Sequence, residues 1–127
     1  MPSPYQYPWV NFNLTPTSSV DSTNTIVFGS DKHCVVDSIF VCNTTDQEIF
    51  IDVTVLAERA SNDEPPIFTQ TTTYIVKNYL LRKSEGVELI KQSVINMESG
   101  DLIYAKSDFA NNTFDCMVSH RKLLEEP

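Results

Sequence analysis

The chain has 127 residues, 41% of them hydrophobic and 20% charged, which suits one folded domain and excludes a wholly disordered chain. Seventeen acidic residues against nine Lys and Arg give a net charge of -8, which argues against nucleic acid as a partner because phosphate neutralisation needs clustered positive charge. No stretch reaches roughly 18 apolar residues and the first 24 residues lack the pattern of a secretory signal, so we expect no membrane span and synthesis in a cytoplasm.

Residues 1–24 form an extended arm. They hold four of the seven prolines, which fix the backbone and remove hydrogen-bond donors, so neither a helix nor a central strand is expected. The arm is nevertheless rich in large apolar side chains: Tyr5, Tyr7, Trp9, Val10, Phe12 and Leu14. Two roles are open. The arm packs along its own domain as an edge strand, or it docks these six residues, our predicted interface, onto a neighbouring subunit.

From residue 25 onward the pattern changes to strands separated by turns. Residues 33–43 are continuously apolar and β-branched, which predicts a central strand covered on both faces. Residues 48–57 alternate, and Ile49, Ile51, Val53 and Val55 are the clearest core candidates. Because only about four turn residues separate these two runs, we expect them to pair as an antiparallel hairpin.

The second half of the chain continues the same rhythm. The acidic, double-proline segment 58–66 predicts a surface loop, and strand patterns follow at 67–76, 79–81, 86–90, 94–97, 102–107 and 113–121. In the last of these, Phe114, Cys116 and Val118 share one face. Seven to nine short strands with almost no helix indicate an all-β, two-sheet antiparallel sandwich over residues 25–122, immunoglobulin-like or jelly-roll-like, with a C-terminal tail at 123–127.

Chemistry-bearing residues form no constellation in the sequence. Cys34, Cys42 and Cys116 have no metal spacing and are expected to be reduced and mostly buried, although a disulfide to Cys116 stays open. His33 and His120 are expected to be surface residues, and no GxSxG, HExxH or phosphate-loop motif occurs among only three glycines. We therefore predict no enzymatic activity, no catalytic residues, no cofactor and no metal.

Charge is unevenly distributed along the chain. Residues 46–64 carry six acidic side chains against Arg59 alone, while Lys77, Arg82, Lys83 and Lys91 form a positive group. Such runs are usually solvated surface. If the two groups lie on opposite sides of the sandwich, copies of the chain could instead associate head to tail.

Several segments in succession resemble small immunoglobulin-like virion proteins of tailed bacteriophages. The resemblance covers about residues 25–122 and rests on VVDSIFVCNTTDQEIFIDVTVL, TTTYIVKNYLL, VELI and MESGDLIYAKSDFANNTFDCMVSHR, with the Gly100-Asp101 turn and the 107–115 loop as its more specific parts. The acidic segment 58–66 and the aromatic arm depart from the simplest members of that family.

The resemblance implies a non-enzymatic virion component that assembles in many copies with itself and other virion proteins, as an accessory protein of the tail, the neck or their junctions. A capsid decoration protein is the alternative within that class. A carbohydrate-binding attachment module is the alternative from another class, because sandwich loops that carry aromatic and acidic side chains can bind sugars. Under the arm hypothesis, a chain without residues 1 to about 20 should fold but lose its oligomeric state or its place in the particle.

Overall fold

The computed structural model describes residues 13–91 and 93–122, and within them the protein is an all-β sandwich without a helix. The nine strands are β1 (Asn13–Val20), β2 (Thr25–Gly29), β3 (Cys34–Asn43), β4 (Ile49–Ala60), β5 (Phe68–Leu81), β6 (Gly86–Glu88), β7 (Ile95–Met97), β8 (Leu102–Ser107) and β9 (Phe114–Lys122). The predicted fold class is confirmed.

The nine strands form two antiparallel sheets. The first has the order β1-β9-β3, and the other side of β3 pairs with β6 and β7 at different points along its length. The second has the order β2-β8-β4-β5. As predicted, β3 is a central strand, since β9 occupies one side and the two short strands the other.

The alternating pattern places the core where it was expected. Ile49, Ile51 and Val53 of β4 are fully buried, and Val55 packs against the core at its edge. Phe114, Cys116 and Val118 of β9 face them from the other sheet and are also buried. One face of each long strand therefore fills the space between the two sheets.

The predicted hairpin between β3 and β4 is wrong. The two strands lie in different sheets, and residues 44–48 carry the chain from one sheet to the other as an arch. The buried side chain of Asn43 holds this arch: Nδ2 donates to the carbonyl oxygens of Gln47 (2.8 Å), Leu81 (3.1 Å) and Arg82 (3.1 Å). Its Oδ1 accepts from the backbone N–H of Thr45 at 2.8 Å. A short polar connection thus fits an arch as well as a hairpin.

The sandwich begins earlier than the predicted boundary at residue 25. Strand β1, inside the segment assigned to the arm, pairs with β9 from Asn13 to Val20, and Val20 is only 2% exposed. Pro16 fits this position because β1 lies at a sheet edge, where the donor that proline lacks would face away from the ladder. Removing residues 1–20 would therefore remove a strand, and a deletion that tests the arm alone has to stop at residue 12.

Two further boundaries differ from the expectations. Strand β4 continues to Ala60, so the loop between β4 and β5 shortens to residues 61–67. Strand β5 is one strand of 14 residues where two were predicted. The predicted break at residues 77–78 is a ladder irregularity, where Asn78 has a φ of 49° and its N–H donates to Asp52 Oδ1 at 2.7 Å.

Candidate interaction surfaces

Only one of the six predicted interface residues lies within the described part of the chain. Tyr5, Tyr7, Trp9, Val10 and Phe12 lie outside it. Leu14 lies on β1, where it pairs with Ser119 of β9 and leaves 61% of its surface exposed. The described end of the arm is thus an edge strand of its own domain with an apolar side chain on its outer surface, and the role of residues 1–12 stays a prediction.

A second surface is the outer half of the β4–β5 hairpin. Strand β8 pairs with β4 only from Ile51 to Leu56, so the remainder of the hairpin continues as a two-stranded ribbon. Every residue from 58 to 74 is exposed. Three large apolar side chains are exposed here: Ile67 (61%) in the loop, Phe68 (63%) on the ribbon, and Tyr74 (49%) on β5 just before the ribbon begins.

The ribbon is attached to the body of the sandwich by an ion pair. Arg59 on β4 donates to both carboxylate oxygens of Asp101, at 2.7 and 2.9 Å, and its Nε lies 3.2 Å from Glu98. The Asp101 carboxylate also accepts the N–H of Glu98 and is almost fully buried in the turn between β7 and β8. Gly100 in this turn has a φ of +92°, a conformation that favours glycine. The Glu98–Asp101 turn that the sequence predicted therefore also positions the ribbon.

This ion pair shifts the pKa of Asp101. The hydrogen bonds from Arg59 lower the pKa of the carboxyl group most, burial opposes them, and the N–H of Glu98 lowers it further. The carboxylate is thus ionised at neutral pH and retains its two-pronged contact with the guanidinium group.

A third surface lies among the loops at the other end of β4. A depression of about 530 Å³ is lined by Gln47, Glu48, Phe50, Asp108, Phe109, Asn111 and Asn112. Phe109 is 68% exposed and Phe50 is 45% exposed. Gln47 donates to Asn112 at 2.7 Å, and Asn112 donates to Asp108 at 3.0 Å, so a hydrogen-bonded amide pair forms part of the wall. Exposed aromatic rings beside amides and carboxylates are a suitable surface for a polyhydroxylated ligand.

Two members of each charged group of the sequence meet at this end. Asp46 and Glu48 line one open depression of about 580 Å³ together with Arg82 and Lys83. Positive and negative side chains are therefore intermixed here. Head-to-tail association through opposite charged faces consequently receives no support from these four residues.

The two histidines have different environments. His33 is exposed, as expected, but His120 is only 5% exposed and packs against Phe28 with the rings tilted by 50° and their centroids 4.5 Å apart. Burial is the main cause that lowers the pKa of His120, and its Nδ1 makes no hydrogen bond within the described residues. The expectation of a surface position for His120 is wrong. The signal was the alternation of β9, which puts His120 on the same face as Phe114, Cys116 and Val118.

The cysteines agree with the expectation except at one position. All three are free, Cys34 and Cys116 are buried, and Cys42 is half-buried. Burial raises the pKa of Cys116 to about 12 and also raises that of Cys34. Within residues 13–91 and 93–122, no three His, Cys, Asp or Glu side chains are grouped to hold a metal ion. No helix in these ranges is long and apolar enough to cross a membrane.

Comparison with known proteins gives one structural similarity. No protein-family model matches the chain, and no curated protein matches it. A solved structure described as "Bacillus endospore appendages form a novel family of disulfide-linked pili" aligns over 98% of this chain and 96% of its own, with 10% sequence identity and a TM-score of 0.38.

Proposed function

We propose that this protein is a non-enzymatic structural subunit that assembles in many copies, as an accessory component of the tail or neck of a tailed-phage virion. The observation that carries the assembly part of this proposal is the exposed β4–β5 ribbon, with residues 58–74 accessible and Phe68 and Tyr74 on its outer strand. An open strand edge flanked by exposed apolar side chains is a template for protein association.

The virion part of the proposal rests on the sequence resemblance described above. The segments that carry it lie on strands β3, β4, β5, β6, β8 and β9 of the sandwich, together with the Gly100-Asp101 turn. The aromatic residues 5–12 precede an edge strand at the surface, from which an arm can reach another subunit. Burying such side chains is worth roughly 1.5 to 3 kcal/mol each before the cost of ordering is subtracted.

Quantitative mass spectrometry of purified particles tests this proposal. The copy number of the chain per particle should be a fixed multiple of the copy number of a protein known to form a single ring in the same particle. A chain lacking residues 1–12 should fold, as judged by circular dichroism, yet be absent from the particles or present in reduced amount. Absence of the intact chain from purified particles would overturn the proposal.

Position in the particle separates the tail or neck from the capsid. A chain tagged at its N-terminus and labelled with gold is expected at the tail or the neck in electron micrographs. Label spread evenly over the capsid would favour the decoration alternative instead.

A carbohydrate-binding attachment module remains a second candidate because of the loop depression around Phe109 and Phe50. Glycan-array binding by the intact chain that Phe109→Ala abolishes would support it. Ile26→Ala is the control, since Ile26 is an exposed large apolar side chain on β2 that does not line the depression.

A further inference from the structure

From Phe68 to Tyr74 the outer edge of β5 lacks the features by which natural sheets protect their edges. Such edges usually carry a charge, a proline or a bulge that prevents pairing with another chain. Residues 65–76 carry no charge, and the prolines precede the strand. Pairing with β4 is regular from Phe68 to Tyr74, and the irregularities begin only after Tyr74. Seven residues of the edge are therefore straight, uncharged and free of proline.

The composition of this stretch favours strand pairing. FTQTTTY is rich in Thr and aromatic residues, which are among the residue types most common in strands. Within the described residues, β5 pairs with β4 alone. Beyond β8 the ribbon has only two strands, and a two-stranded ribbon is only marginally stable in water without further packing. A third strand along β5 would complete it.

We propose that a second copy of this chain supplies that strand, so that the two β5 strands pair antiparallel about a two-fold axis near Thr71. The inference rests on the proposed function in so far as copies associate, and it names the surface through which they do so. The β2-β8-β4-β5 sheet of one copy and the same sheet of the other copy then form one continuous sheet of eight strands. Because the contact is isologous, pairing closes at a dimer and leaves no free β5 edge.

Side-chain complementarity selects this arrangement over other registers. With Thr71 on the axis, Phe68 of one copy stands opposite Tyr74 of the other, and both lie on the same face of β5. Aromatic cross-strand pairs stabilise antiparallel sheets, and the axis generates two of them. On the opposite face, Thr69 stands opposite Thr73, a pair that can share a hydrogen bond.

Charge at the two ends of the uncharged stretch agrees with an antiparallel, two-fold pairing. Glu64 immediately precedes the stretch and Lys77 follows it. In the proposed register the regular pairing ends where Tyr74 of one copy meets Phe68 of the other, so Lys77 lies beyond that end, on the side of the 61–67 loop that carries Glu64 of the other copy. Lys77 already lies over the Tyr74 ring, 5.1 Å from its centroid, on the face that carries the aromatic pairs. A parallel pairing would instead place like charges together at both ends.

Thr71→Lys is the decisive variant, because residue 71 of both copies lies at the two-fold axis and two lysines there would repel each other. Sedimentation of the 127-residue chain should show a dimer, and Thr71→Lys should raise its dissociation constant at least tenfold. Ser18→Lys is the matched control, because it adds the same charge at an exposed position on β1, an edge strand of the other sheet, and should leave the dimer unchanged. Circular dichroism shows whether each variant is folded.

Charge reversal and cross-linking test the register. Lys77→Glu should weaken the dimer several-fold, and adding Glu64→Lys should restore it. Thr71→Cys should form a disulfide-linked dimer under mild oxidation, whereas Ser18→Cys should not.

Several results would overturn the inference. The first is that the wild-type chain is monomeric at every concentration measured. The second is that Thr71→Lys leaves the dimer intact. The third is that the dimer is lost only when residues 1–12 are removed. The last result would identify the N-terminal segment as the occupant of the interface. A dimer in solution whose chain is absent from particles would overturn the proposed function alone, and a chain present in particles but monomeric in solution would overturn this inference alone.

Discussion

Replacement of Asn43 by Ala should destabilise the fold more than any exposed substitution, because one buried amide holds the arch between the two sheets. The side chain is only 2% exposed. Its Nδ2 reaches three carbonyl oxygens, and its Oδ1 accepts from both the N–H and the hydroxyl of Thr45. Two N–H bonds and two lone pairs allow about four hydrogen bonds at a time, each worth about 0.5 to 1.5 kcal/mol net.

The expected loss of stability is smaller than the summed contribution of four hydrogen bonds. Thr45 and Gln47 lie in the arch, where water can replace part of what they lose, whereas the Leu81 carbonyl belongs to a fully buried residue. We therefore expect Asn43→Ala to reduce the free energy of unfolding by about 2 to 4 kcal/mol, which falls in the range of large single-site effects.

Asn43→Asp keeps the shape and the acceptors but removes both donors and directs a carboxylate at carbonyl oxygens. It should be at least as unstable as Asn43→Ala at neutral pH. Because those carbonyls and burial raise the pKa of the introduced carboxyl in the folded state, the deficit should shrink as pH falls and the carboxyl protonates. A hydrogen-bond role for the amide thus has a pH signature that a loss of packing lacks.

Urea denaturation followed by circular dichroism measures both effects. Asn62→Ala, in the exposed 61–67 loop, is the control and should change stability by no more than about 0.5 kcal/mol. If Asn43→Ala is as stable as this control, the amide does not hold the arch and the reasoning fails.

Three further outcomes are expected. Because the pKa of Asp101 is lowered in the folded state, the stabilisation by its carboxylate is present at neutral pH and is lost below about pH 4. Asp101→Asn should therefore lower the free energy of unfolding at pH 7. In urea titrations at several pH values, its stability should fall less on acidification than that of the wild type. Thiol titration of the native chain should leave Cys116 unreactive, since its pKa is about 12, and denaturation without reductant should expose three thiols; only one would indicate a disulfide. Asp63→Asn combined with Glu64→Gln should change stability by no more than about 0.5 kcal/mol, because both side chains are exposed, and a loss of several kcal/mol in urea titrations would contradict this.

Strand positions and core faces could be predicted because they depend on local alternation. A period of two identifies which side chains of β4 and β9 face inward without reference to any partner strand. Extending that rule by one step would have placed His120 inside, since it continues the series Phe114, Cys116 and Val118. Histidine as a residue type favours the surface, but the position of His120 in the alternation decides its burial.

Strand partners could not be predicted in the same way, because alternation does not specify which strand lies alongside. The connection of residues 44–48 suits a hairpin by length, yet both sides of β3 are already occupied by β9 and by the two short strands. Likewise Pro16 and the lack of charge made residues 13–20 resemble an arm, although an edge strand tolerates both. These features are decided by long-range pairing rather than by local sequence.

The loop depression and the β4–β5 ribbon lie at opposite ends of β4, and this separation allows each to bind a partner at the same time. Phe50 lines the loop depression, while Arg59 fixes the ribbon, and the nine residue steps of strand from one to the other span about 30 Å. Substitutions at sites this distant and without shared partners usually act additively. Phe109→Ala should therefore leave dimerisation unchanged, and Thr71→Lys should leave any ligand binding at the depression unchanged, as measured by sedimentation and by binding titration of the two single variants and the double variant. Coupling between them would mean that the hairpin transmits a change along β4, which is not expected of a strand held by β5 along its length and by β8 from Ile51 to Leu56.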